Sequence, residues 1–157
     1  MALRRAIELL PSTGTRAGMA LFREPLASDE TLIAEVVPTL QPALFCHRHQ
    51  TDQLMVLRGS IDLVVVQNRQ LRRLTLREDE PLWVRIPPGV PHGAINRSPG
   101  TAVVVNAVLR HRPGDARDYL PRPIPASLAA AWADLTPARP GSAAGGGVGS
   151  MPTAWLP

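Results

Sequence analysis

Apolar and polar positions alternate in short runs through the middle of the chain, and the runs are separated by turn residues. Residues 31–37 (TLIAEVV) read as a strand rich in β-branched side chains, and residues 44–49 as a second. Residues 54–57 form a third run ending at Gly59, and residues 61–66 (IDLVVV) a fourth. The polar stretch at 67–70 is a turn, and residues 71–77 follow with apolar positions at 71, 74 and 76. Residues 82–86 and 101–109 complete the set. Short strands at near-regular spacing, with no helical stripe between them, predict an all-β sandwich or barrel rather than alternating βα units.

The flanks read differently. Residues 2–10 carry apolar spacing compatible with a short amphipathic helix that Pro11 stops. Residues 126–135 (ASLAAAWADL) predict a second short helix anchored by Trp132. Residues 137–150 are of low complexity and are expected to be flexible, followed by a tail containing Trp155. The expected organisation is an N-terminal extension over 1–30, a barrel over 31–125, and a short helix with a Gly/Pro-rich tail over 126–157.

Composition narrows the classes. A chain of 157 residues is one domain's worth and can bury a core without staples. With aromatics at 4%, that core must be built from Val, Leu, Ile and Ala. The net charge is +4 and every basic residue is arginine. The arginines are scattered and stacking residues are scarce, so no nucleic-acid partner is expected. Cys46 is the single cysteine, which rules out an intramolecular disulfide. The N-terminal apolar run is too short for a signal peptide, and no run approaches a membrane span, so the expected setting is cytoplasmic, with no membrane partner.

The candidate chemistry lies in the histidines. Three of the four fall in two short patches. In His47-Arg48-His49, positions i and i+2 share one face if the segment is a strand, which brings two imidazoles within reach of one cation. In the stretch from Pro87 to His92, prolines fix the backbone and Gly89 permits a positive φ, so the turn delivers His92 at a defined place.

Together the patches resemble the two motifs of the cupin superfamily. The first, G-x5-H-x-H-x3,4-E-x6-G, is matched by His47, His49, Gln53 and Gly59. The second, G-x5-P-x-G-x2-H-x3-N, is matched by Pro87, Gly89, His92 and Asn96. The leading glycines are replaced by Gln41 or Pro42 and by Pro81, and the gap from Gln53 to Gly59 is one residue short. The resemblance spans residues 40–108 and implies a jelly-roll barrel. It implies a metal site of His47, His49, Gln53 and His92 holding Fe, Mn, Ni or Zn, with His49 and His92 as catalytic residues. Glutamine stands where the family usually has glutamate, leaving the ligand set neutral; Asp52 is the alternative carboxylate if residues 50–53 form a turn.

The implied function is a metal-dependent enzyme acting on a small molecule, of dioxygenase, isomerase or lyase type. The alternative rests on the Pro-Pro-Gly-Val-Pro-His-Gly turn, which is similar to that of the deoxysugar-nucleotide epimerases and isomerases of the same superfold. There histidines act as acid and base without metal. A third reading is a cupin that binds a small ligand and catalyses nothing. The resemblance also implies a homodimer. Among other residues, Cys46 is expected to be a buried hydrophobe and Asn96 to satisfy turn backbone groups. Arg58 and Arg85 are expected to be solvated, the alternative being that they reach an anionic substrate at the pocket mouth, and His111 is expected to be solvated. The Asp118-Tyr119 pair lies where a chain leaving the barrel could cover a pocket mouth.

Overall fold

A computed structural model describes residues 6–39, 43–113 and 117–136. Two five-stranded antiparallel sheets face one another. Sheet 1 has the order β1 (Glu8–Pro11), β9 (Leu82–Ile86), β6 (Gln50–Arg58), β11 (Ala102–Arg110), β4 (Glu30–Val36). Sheet 2 has the order β12 (Tyr119–Arg122), β5 (Leu44–His47), β10 (His92–Ile95), β7 (Ser60–Gln67), β8 (Gln70–Arg77). A separate hairpin is formed by β2 (Gly14–Ala17) and β3 (Ala20–Arg23). From β4 to β12 consecutive strands switch between the sheets except at the β7–β8 hairpin, so the chain is a jelly roll.

The core follows from alternation. Leu54 and Val56 of β6, Val84 and Ile86 of β9, and Val104 of β11 point inward from sheet 1. Ile61, Leu63 and Val65 of β7 meet them from sheet 2. These residues are at most 3% exposed, so truncating one of the leucines or isoleucines to Ala should cost about 2–5 kcal/mol. Two turns need special backbone. Asn68 and Arg69 both have positive φ, 52° and 60°, which gives the two-residue β7–β8 connection the twist that suits a hairpin. Gly59 turns β6 into β7 at φ 80°.

The predicted strands between residues 31 and 110 are present. The first differs at the N-terminus: residues 8–11 are an edge strand paired with β9, where a helix was expected, and residues 2–5 lie outside the described segments. The apolar spacing there suits either element, and pairing with β9 decides it. The helix near the C-terminus is present as a 3₁₀ turn (Ala126–Leu128) leading into α1 (Ala129–Leu135). Arg97 ties its end to sheet 2 by donating to Asp62 Oδ2 at 2.8 Å and to the carbonyl of Leu135. Residues 137–157, including Trp155, are outside the described segments. Among the described residues no helix is long and apolar enough to cross a membrane.

Candidate active site

β5 is a short strand whose four residues are all buried. It ends at His47, and the chain bends at Arg48 and His49 before β6 begins in the other sheet. The bend is held from far along the chain. Asp118 Oδ1 accepts hydrogen bonds from the amides of Arg48 (3.0 Å) and His49 (2.6 Å). The Arg48 amide also donates to the Asp118 carbonyl, and the His111 amide to the His49 carbonyl.

The rigid turn before β10 closes on the same place. Gly89, at φ 82°, donates its amide to the His47 carbonyl at 2.7 Å. Pro91 accepts from the Val66 amide. His92 pairs with both Phe45 of β5 and Val65 of β7, which faces it into the barrel. Its Nδ1 lies 2.9 Å from the Val90 carbonyl, and a carbonyl only accepts, so Nδ1 carries a proton.

The two buried imidazoles meet around one carboxylate, that of Asp52. Its Oδ2 is 3.2 Å from His92 Nε2 and 3.6 Å from His47 Nε2. Its Oδ1 accepts from the Gln50 amide (2.6 Å) and the Asn106 amide (2.8 Å). One oxygen is thus saturated by neutral donors and the other is left to the histidines. Neither His92 Nε2 nor His47 Nδ1 has a hydrogen-bond partner in good alignment among the described residues. On the far side of His47, Nδ1 faces Asp118 Oδ2 at 3.5 Å. Gln50 in turn accepts from Arg110, which pairs with Glu30 at the rim.

Electrostatics follow from this packing. Burial pushes the Asp52 carboxyl upward, but His92, His47 and the Asn106 amide outweigh it and hold it at about 2. The His47 imidazole is pushed down, first by burial and then by His92 and Arg110, against the pull of Asp52 and Asp118. Tyr119 pairs with His47 across β12 and β5, stacks on Phe45 at 4.9 Å and meets the His47 ring edge-on. Burial pushes its hydroxyl upward, so it stays protonated. A wall of Phe45, Tyr119 and His47 therefore faces His92, whose ring centroid is 4.5 Å from that of Phe45.

This arrangement differs from the expected ligand set. His47 and His92 are brought together. His49 is not: it lies on the bend rather than on a strand, is half-buried, and has no ring contact with the other two among the described residues. Gln53 faces the opposite side of sheet 1. Its amide donates to the carbonyls of Ala27 (3.0 Å) and Ala107 (2.8 Å), and its oxygen accepts from Arg85 (3.0 Å). Asp52 takes the inward position through a regular strand, not through a turn. Among the described residues no three His, Cys, Asp or Glu side chains are arranged to hold an ion, so the residues present do not fit the expected metal centre.

Asp52 could have been found by counting parity back from the apolar inward residues Leu54 and Val56 instead of forward from the histidines. Gln50, Asn106 and Phe45 carried no signal of their own. Asn96 is 1% exposed and donates to the carbonyls of Val36 and Gly100, which is the turn-holding role expected of it. Cys46 is fully buried, as expected. Arg85 is engaged with Gln53 and Glu8 rather than solvated, and the exposed His111 bonds Thr51.

No protein-family model matches the chain, and no curated relative does. Solved structures do. A dTDP sugar isomerase from Desulfovibrio desulfuricans G20 is 23% identical, with a TM-score of 0.60 over 85% of this chain and 89% of that one. A 3,4-ketoisomerase from Thermoanaerobacterium thermosaccharolyticum, a variant in complex with TDP-4-keto-6-deoxyglucose, is 15% identical at TM-score 0.58, covering 73% and 86%. A dTDP-4-dehydrorhamnose 3,5-epimerase from Bacillus anthracis with TDP and pyrophosphate bound is 18% identical at TM-score 0.58, covering 72% and 76%. The chain has a cupin-type jelly-roll fold, which it shares with these sugar-nucleotide isomerases and epimerases.

Proposed function

We propose that the chain is a deoxysugar-nucleotide isomerase or epimerase that moves a proton next to a sugar ketone by histidine acid/base chemistry. The observation that carries this reading is the pair of buried imidazoles grouped on Asp52 Oδ2. Neutral His92 has its proton on Nδ1, so Nε2 is the basic nitrogen. When Nε2 takes a proton from the carbon beside the ketone, the C–H electrons move into an enolate. Ionised Asp52 then stabilises the imidazolium that forms. Burial keeps His47 neutral near pH 7 and so able to accept a proton as well. Tyr119, protonated and beside His47, supplies an O–H toward the developing enolate oxygen. Return of the proton to the other face of the same carbon is epimerisation; return to the former ketone carbon, with the hydroxyl proton of the first carbon passing to the former ketone oxygen, is ketoisomerisation. The fold's occurrence in enzymes with TDP-linked ligands supports the substrate class.

The test is to incubate the full chain with TDP-4-keto-6-deoxyglucose in D₂O and follow the sugar ring by NMR. Deuterium should enter at the carbon beside the ketone, and His92→Asn should slow this at least ~100-fold while TDP affinity by calorimetry stays within a few-fold. TDP binding without exchange would instead identify a ligand-binding cupin. Absence of both would end the proposal.

A further inference from the structure

Gln50 and Asp52 lie on the same face of β6 as the core residues Leu54 and Val56. On the neighbouring strand β11, Val104, Asn106 and Arg110 stand opposite Val56, Leu54 and Gln50. Arg110 ends this inner row at the rim.

Both amides that hold Asp52 Oδ1 have to be turned the right way. An amide side chain can present its oxygen or its NH₂, and an ionised carboxylate accepts only from the NH₂. Asn106 is turned by the main chain: its Oδ1 accepts from the Gln53 backbone amide at 3.0 Å, so its NH₂ faces Asp52. Gln50 is turned by a side chain. Arg110 Nη1 donates to Gln50 Oε1 at 2.9 Å, and Gln50 Nε2 donates to Asp52 Oδ1 at 2.6 Å. A guanidinium has donors and no acceptor, so with Arg110 in place the Gln50 amide has one permitted orientation. Without Arg110 the amide is free to rotate, and its oxygen repels the carboxylate.

Arg110 is itself held in place. Its Nε and Nη2 donate to Glu30 Oε2, and its backbone amide donates to Asp29 Oδ2 at 2.7 Å. All three guanidinium nitrogens are thus engaged by Glu30 and Gln50. That sets Arg110 apart from an arginine left open to receive an anionic substrate. The donors run one way, from Arg110 through Gln50 to Asp52, and so link the rim to the buried carboxylate.

We propose that Arg110 is a positioning residue: by locking the Gln50 amide it keeps Asp52 Oδ1 occupied and Oδ2 turned to His92 and His47. Its effect on turnover rests on the acid/base reading of those histidines; the lock itself does not.

The test uses the full chain labelled with ¹⁵N, with Arg110→Met, Gln50→Met and the double variant. The Gln50 side-chain NH₂ signals, assigned by their loss in Gln50→Met, should exchange slowly with solvent. Arg110→Met should speed that exchange about 10-fold or more, while the Asn106 side-chain NH₂ stays within about two-fold. On the ketosugar, Arg110→Met should lower kcat about 10-fold with KM changed less than about three-fold. The double variant should be no slower than Gln50→Met alone, because the two residues act through one link. Unaltered Gln50 protection in Arg110→Met overturns the proposal, and equal loss at Asn106 does so as general loosening. Multiplying kcat losses in the double variant overturn it, as does a rise in KM with kcat retained, which would make Arg110 a substrate contact. Selective loss of Gln50 protection supports the lock even in a chain that processes no ketosugar, in which case only the acid/base reading falls.

Discussion

His92 Nε2 and Asp52 Oδ2 lie 3.2 Å apart, yet the two side chains come from opposite sheets of the barrel. The carboxylate is aimed by what holds its other oxygen: the Gln50 and Asn106 amides fix Oδ1 and leave Oδ2 to the imidazoles. Asp52→Asn keeps the shape and removes the charge that stabilises an imidazolium. The proton-exchange rate is expected to fall about 10²–10⁴-fold, with KM changed far less than kcat. Steady-state kinetics on the ketosugar checks this, and a variant with wild-type kcat would remove Asp52 from the chemistry.

Acid should destabilise the fold in two stages. Asp52 ionises more readily in the folded chain than its ordinary value of 3.8, at about 2. The unfolded chain therefore takes this proton first as pH falls. The contribution, roughly 2 kcal/mol, is complete above about pH 4 and vanishes as pH drops through 2. His47 also protonates less readily when folded than its ordinary 6.5, so its contribution is present above 6.5 and declines below it. Melting temperature should be flat from pH 7 to 8, fall below 6.5, and fall again below 4. The second limb should flatten in Asp52→Asn.

Gln53→Glu distinguishes a packing role from a ligand role. A carboxylate there would face the carbonyls of Ala27 and Ala107 in place of an amide that donates to both. The expected cost is about 2–4 kcal/mol in denaturant unfolding, partly offset by Arg85, with no gain in transition-metal content by elemental analysis. Stoichiometric metal in the variant would mean that Gln53 turns toward the histidines after all.

Gly89→Ala tests the turn that links the two histidines. At φ 82° an L side chain is strained, and the Gly89 amide is bound to the His47 carbonyl. A loss of about 1–2 kcal/mol is expected, together with weaker exchange activity as His92 shifts. Unchanged stability and activity would show that the turn does not set the site.

The longer strands between residues 31 and 110 were legible because alternation is a local property of a half-buried sheet. The short strands β10 and β12 were not, since HGAI and YLPR carry a glycine or a proline and gain their strand character from neighbours. The site was half legible. His47 and His92 follow from their motifs, but the choice of Gln53 over Asp52 assumed that side-chain parity runs unbroken from His47 to residue 53. The bend at Arg48 and His49 resets it, and what imposes the bend is Asp118, which nothing in residues 47–53 announces.

That dependence on Asp118 has a temporal consequence. During synthesis both histidines and Asp52 emerge long before the residue that clamps the bend, so a nascent chain can close most of its barrel and still lack the geometry of its reactive centre. The centre is then the last region to mature and the first to come undone. In hydrogen exchange, the amides of Arg48 and His49 should report opening of the final strand well before the core strands exchange.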